Sequence, residues 1–265
     1  GTRKVVRFAP DLCLPPESRP SCVSGSWGGR GRGHTLFESP VGLATDREGR
    51  VYVVDQATDE VKVFDADGAH LHSFGGSGDG NGQLLRPTDV DVAPDGTVWV
   101  ADRDNDRVVA FTPGGDYKSV FRGVQQSMFR PDGIAVGPDG RMLVVDRASS
   151  DGLSRVTWYQ DGRQLWQLPL QGGPNVDRGA PIAGGVAFLA DGRGVVANPR
   201  SLEYSLYLAN GEGQLMPFAL RGQERMQFDL PVDVALDPQF YVVADKGNGR
   251  VLIMDPARGE SDVML

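Results

Sequence analysis

Two cysteines, three histidines and no long apolar run leave this 265-residue chain poorly supplied for several common functions. Cys13 and Cys22 are too few for a disulfide scaffold or a cysteine-rich zinc site. No apolar stretch approaches the roughly 18 residues needed to cross a bilayer, so no membrane span is expected. Basic residues are outnumbered 27 to 35, and the net charge of −8 argues against a nucleic-acid or anionic-membrane surface, because phosphate binding needs a concentrated basic face. With 40% hydrophobic and 23% charged residues, the chain is neither disordered nor fibrous. It opens on Gly1 with no charged-then-apolar leader, and so reads as a processed form or a fragment. If Cys13 and Cys22 pair, the compartment is oxidising, which gives the expectation of an extracellular or periplasmic protein; the alternative is two free thiols in a loop.

What the chain has in excess is glycine and proline, 36 and 18 residues, set between short apolar runs. That combination describes strands and turns. The excess is periodic. FESPVGLATDREGRVYVVDQATDEVKVFDADG begins at Phe37, LLRPTDVDVAPDGTVWVADRDNDRVVAFTPGG at Leu84 and FRPDGIAVGPDGRMLVVDR at Phe129, with weaker copies opening at Pro181 and Leu230. Pro40, Pro87, Pro131, Pro181 and Pro231 open the units at spacings of 47, 44, 50 and 50 residues. Each unit carries an apolar run after the proline, often an Asp-Gly hairpin turn, a second run ending in Asp or Asn, and two further runs. Four antiparallel strands recurring at this period predict propeller blades. The expectation is therefore one all-β domain over 1–265, with 1–36 as a partial blade and lead and repeats opening near 37, 84, 129, 178 and 228.

The repeat resembles the NHL family, in its glycine-rich lead (Gly75, Gly76, Gly78, Gly80, Gly82), its Tyr-Val-Ala-Asp-like runs (Tyr52 to Asp55, Trp99 to Asp102, Val242 to Asp245) and its later Asn-x-Arg (Asn105 with Arg107, Asn248 with Arg250). The resemblance implies an NHL-type β-propeller of four-stranded blades, usually six in number. Arg3 to Pro10 is similar to the third strand at Arg107 to Pro113, so the chain starts in mid-blade. The length then predicts a six-bladed ring lacking two strands. The alternative is a five-bladed ring whose last blade is completed by the amino-terminal strand.

In a four-stranded meander, the start of the first strand and the end of the second share one face. That face collects Asp89 and Asp233 with Arg103, Arg147 and Lys246, a mixed-charge set suited to a protein, peptide or small polar ligand. Asp91 stands where other repeats have Ala44, Ala135, Ala187 and Ala235, and a structural salt bridge is expected for it, with channel lining or cation binding as the alternative. The recurring Asp55, Asp102, Asp146, Asn198 and Asp245, like Arg107, Arg155 and Arg250, read as structural. Arg30, Arg32 and His34 read as a solvated loop.

Two functional classes follow. The first is a non-catalytic, exported NHL propeller binding a protein, peptide or polar ligand. The alternative is a propeller enzyme of lyase or hydrolase type using a channel-bound cation. PTDVDVAPDGTVWVADRDNDRVVAF is similar to a blade of peptidylglycine amidating lyases, which implies zinc held by histidines near the channel; here His34, His70 and His72 fall in lead and fourth-strand regions instead. A calcium-dependent lactonase of propeller fold is the other enzyme to weigh, since Asp89, Asp91 and Asp233 could supply oxygen ligands, although no lactonase ligand motif is evident in the sequence. Calcium and zinc are thus the cations to test, and the residues favour the non-catalytic class.

Overall fold

The computed structural model describes residues 3–8, 23–147, 154–170, 185–189, 191–197, 204–209, 213–220, 228–229, 231–236, 241–248, 250–255 and 260–264. Cys13, Cys22 and Asn198 lie outside them. The described chain is all-β apart from two short 3-10 turns. Strands β1 (Lys4–Phe8) and β2 (Val23–Gly28) form a two-stranded sheet. Five four-stranded antiparallel meanders follow. The first runs through β3 (Pro40–Thr45), β4 (Val51–Asp55), β5 (Glu60–Phe64) and β6 (His70–Gly75). The second holds β7 (Asp89–Val92), β8 (Val98–Asp102), β9 (Arg107–Phe111) and β10 (Tyr117–Phe121), and the third β11 (Gly133–Val136), β12 (Met142–Arg147), β13 (Ser154–Gln160) and β14 (Arg163–Pro169). The fourth holds β15 (Val186–Phe188), β16 (Gly194–Ala197), β17 (Tyr204–Ala209) and β18 (Leu215–Leu220), and the fifth β19 (Pro231–Leu236), β20 (Tyr241–Asp245), β21 (Arg250–Asp255) and β22 (Glu260–Met264).

Local chemistry explains the meander. Val, Ile, Tyr and Trp fill the two middle strands, where β-branched and aromatic side chains suit a pleated surface buried on both faces. The hairpin at Asp95-Gly96 needs a positive φ, and Gly96 supplies it at 84° without a Cβ penalty. The core lies between sheets rather than within one. Tyr52, Val54, Val61 and Val63 of the first meander pack on Val98, Val100, Val109 and Phe111 of the second. Leu143, Val145, Val156 and Trp158 of the third likewise meet Val186 and Val196 of the fourth. Each large apolar side chain so buried contributes roughly 1.5–3 kcal/mol. The innermost strands pack in the order β3, β7, β11, β15, β19, the radial stacking of a β-propeller.

The blade number is a correction. Six complete blades are not formed, because β1 and β2 pair only with each other among the described residues. Nor does the amino-terminal strand complete the last meander, as the five-bladed alternative requires, since β22 pairs with β21 over Glu260–Asp255 to Met264–Val251. The expectation that β1 is third-strand-like does hold. Its register on β2, Lys4 to Gly28 and Val5 to Trp27, matches that of β5 on β6, Glu60 to Gly75 and Val61 to Phe74.

Candidate functional site: the central channel

The five innermost strands surround a cavity of about 330 Å³. Its wall runs from Asp89 and Asp233, near the strand starts, past Asp91 to Thr45, Pro138 and Phe188 at the far ends. Innermost strands have one sheet edge without a partner, so their outer backbone groups face the channel. Three acids answer some of those donors. Asp89 Oδ1 accepts the N–H of Val90 and Oδ2 that of Ile134 on the next sheet, both at 2.9 Å. Asp91 repeats the pattern, accepting from Val92 at 2.8 Å and from Val136 at 2.7 Å. Asp233 Oδ1 accepts from Val234 at 2.8 Å.

Close approach sets where acids can stand. A Cβ on Gly42 would come within 2.7 Å of the Asp89 Cα, and one on Gly185 within 2.7 Å of the Asp233 Cα. Glycine on one blade thus makes room for aspartate on the next. Burial is the main influence on these carboxyls, disfavouring their charged form. It raises Asp89 well above the ordinary carboxylate range, with the neighbouring Asp233 charge adding to the effect. Burial also pushes Asp91 and Asp233 up to about 6, against the pull of their backbone N–H bonds.

The mixed-charge set anticipated around the channel is only partly assembled. Asp89, Asp91 and Asp233 line one cavity, but Arg103 and Lys246 are not in its wall. Arg103 pairs with the buried Asp132 of the next blade at 3.0 Å, an inter-blade contact that sequence inspection missed. Lys246 is exposed in the turn after β20, and Arg147 ends β12, its side chain outside the described residues. The salt bridge expected for Asp91 is corrected: its two oxygens take backbone N–H groups. No group of three or more His, Cys, Asp or Glu side chains is placed to hold a metal ion among the described residues. That includes the histidines, since His70 bonds Ser73 and His72 the Pro113 carbonyl.

The recurrent aspartates sit elsewhere, at the ends of the second strands, and hold each lead to its blade. Asp102 accepts from the Leu85 N–H, Asn105 Nδ2 and Arg107 Nε at 2.6–2.9 Å. Arg107 in turn donates to the carbonyls of Asp79, Gly80 and Gln83 in the glycine-rich lead. Asp146 with Arg155 and Asp245 with Arg250 repeat the pair. In the first blade Glu60 occupies the arginine position, and Lys62, two residues on, reaches Asp55 at 3.2 Å.

Comparison with known proteins agrees with this architecture. The NHL repeat model matches residues 84–111. A chain of a nidogen/laminin complex is similar at 18% identity with a TM-score of 0.63, over 85% of this chain and 79% of that one. Virginiamycin B lyase from Staphylococcus aureus is similar at 15% identity with a TM-score of 0.58, over 85% and 69%. A gluconolactonase from Xanthomonas campestris is similar at 17% identity with a TM-score of 0.54, over 78% and 69%. Among curated proteins there is no match. At these identities the structural likeness speaks for the fold alone. The chain is a β-propeller protein that carries an NHL repeat.

Proposed function

We propose that this protein is a non-catalytic NHL propeller that binds a protein, peptide or small polar ligand through its central channel. A cationic or N–H-rich group of the ligand is received by Asp89, Asp91 and Asp233. One observation carries the reading: three carboxyls converge on a cavity of about 330 Å³ whose wall, among the described residues, contains no lysine, arginine or histidine. A ligand cation between them would favour their ionised forms and offset the burial that now opposes ionisation. The apolar part of the wall, Leu43, Ile134, Val186 and Phe188, suits the alkyl stem of a lysine or arginine side chain. Arg103, committed to Asp132, is not a ligand contact in this reading.

The test uses N-acetyl-arginine-amide and N-acetyl-lysine-amide as probes in calorimetric titrations at pH 7.5. Saturable binding is expected, weakened at least tenfold in Asp89→Asn/Asp233→Asn. Equal binding by wild type and variant rejects the channel as the site.

The paired, raised carboxyls of Asp89 and Asp233 also favour a second reading, a channel enzyme of lyase or hydrolase type, because perturbed acids gather at catalytic sites. Nidogen/laminin, lyase and gluconolactonase chains all share the fold, so it supports binding and catalysis alike. Stoichiometric calcium or zinc in purified protein, lost in Asp89→Ala/Asp233→Ala, would favour the enzyme.

A further inference from the structure

A larger cavity, of about 570 Å³, adjoins the channel at the end away from the strand starts, and the two share Thr45, Val136 and Pro138 in their walls. Three successive hairpin turns contribute to its rim, residues 46–49 after β3, 93–96 after β7 and 137–140 after β11. In each turn the N–H of the fourth residue, a glycine at positive φ, donates to the carbonyl of the first. The second place in such a turn favours proline, whose fixed φ suits it. Pro94 and Pro138 follow that rule, and in the first blade Arg47 takes the place instead.

Turn geometry does not ask for this arginine, and no described side chain engages it. Five charged side chains line the cavity, and four of them are answered. Asp46 accepts from the N–H groups of Glu48 and Arg50, from Arg50 Nε at 2.6 Å and from the Tyr52 hydroxyl at 3.0 Å. Glu48 meets Arg50 Nη2 at 2.9 Å, and Asp95 accepts from the N–H and the hydroxyl of Thr97. Arg47, exposed at the rim, has no hydrogen bond or ion pair with a described residue. Below it the wall is apolar, with Val92, Ala93, Pro113 and Val136.

Distance fixes the scale of a ligand. Asp91 lies three positions before Pro94, so the channel acids and the level of Arg47 stand roughly 10 Å apart at about 3.3 Å per residue. An extended peptide of about three residues covers that span from its amino to its carboxyl group.

We infer that the channel and the adjoining cavity form one site for a free peptide of about three residues, held at both ends. Its ammonium group lies among Asp89, Asp91 and Asp233, a contact that rests on the binding proposed above for the channel. Its carboxylate pairs with Arg47, whose guanidinium donates to both oxygens at once. Small apolar side chains between the ends face Val92, Val136 and Pro138. The acids thus select the amine, and Arg47 selects a free carboxyl end over the interior of a longer chain.

Calorimetric titration of the full chain at pH 7.0 with trialanine, trialanine amide and penta-alanine tests this. Trialanine should bind at least tenfold more tightly than either of the others. Arg47→Gln should lower trialanine to the level of its amide, while Arg47→Lys keeps part of the difference. Arg30→Gln, at another exposed arginine, should change nothing. Asp89→Asn/Asp233→Asn should weaken trialanine and its amide alike. Equal binding of trialanine and its amide, both sensitive to the aspartate variant, would overturn the inference and leave the channel reading standing. A preference for trialanine that survives Arg47→Gln, or penta-alanine binding as tightly as trialanine, would overturn it too. Binding that ignores the aspartate variant would remove the amine contact and with it the two-ended site. No binding by any of the three peptides would also overturn the inference, whatever the arginine and lysine amides show of the channel.

Discussion

The two groups of aspartates in this propeller are made from the same residue type and differ in what surrounds them. Asp55, Asp102, Asp146 and Asp245 each meet a cation from the third strand or its neighbour together with backbone N–H groups of the incoming lead. Among the described residues, Asp89, Asp91 and Asp233 meet backbone N–H groups alone. The first group is structural: a deeply buried carboxylate is tolerable because its charge is matched and its lone pairs are filled. The second group is placed where matching is incomplete and water can enter, an arrangement suited to a ligand rather than to the fold. The contrast separates what keeps the blades assembled from what the channel is free to bind.

The sharpest way to break that contrast is Asp102→Ala. It leaves Arg107 buried with its lead carbonyls but no anion, and strands the Leu85 N–H. A loss of about 3–5 kcal/mol is expected, the range for removing one partner of a buried pair. Urea denaturation measures it. Asp91→Ala should cost under about 1 kcal/mol at pH 7 on the same scale, because the freed N–H groups lie in the channel within reach of water. Equal losses from the two variants would erase the distinction.

A smaller effect is expected from Gly42→Ala. The new Cβ meets the Asp89 Cα, a backbone atom that no rotamer change can move aside. Overpacking of this kind costs about 1–3 kcal/mol, although alanine is ordinarily the better residue in a strand. Gly114→Ala, with only the Thr112 Oγ1 at 3.7 Å, is the control and should be close to neutral. Comparable urea midpoints for the two variants would show that the glycine does not set the position of the channel acid.

The blades were legible because their signals are local: a proline before the first strand, Asp-Gly at a hairpin, Asp at the end of the second strand. The recurring aspartates could be read as structural for the same reason, since a once-per-blade residue repeats with the local geometry. Three features were not legible. The Arg103–Asp132 pair joins neighbouring blades across 29 positions, and although Arg147 stands where Arg103 does, Val41, Thr88 and Val232 stand where Asp132 does, so the pair does not repeat. Lys62 replaces the arginine from a position two residues later, so alignment on Glu60 conceals it. The exposure of Leu43, 47% where its register equivalents Val90, Ile134, Val186 and Val234 are 2–6% exposed, depends on what packs beside β3 in space, while the residues of β3 follow the same pattern as those of the other blades. Asp91 was expected to find a cation because a buried acid demands a partner; the free edge of an innermost strand supplies N–H groups instead.

The finest test of the comparison is the pH dependence of Asp91→Ala. Burial holds the Asp91 carboxyl up to about 6 in the folded protein, whereas an unfolded aspartate titrates at about 3.9. Between those values the folded state binds the proton that the unfolded state has released, so this group's contribution to stability falls as pH rises from about 4 to about 6 and is level outside that window. Alanine at 91, the residue found at 44, 135, 187 and 235, removes the dependence. The stability of Asp91→Ala relative to wild type should therefore improve by about 1 kcal/mol between pH 4 and pH 7, less than the full shift because the channel admits solvent. Asp46 gives the opposite slope in both proteins, since its bonds to Arg50 and Tyr52 hold it below the ordinary range, and it cancels in the difference. Urea titrations at half-unit pH steps read that difference directly. A relative stability that stays flat with pH, or that runs the other way, would show that Asp91 is matched in the folded protein after all and belongs with the blade-end aspartates.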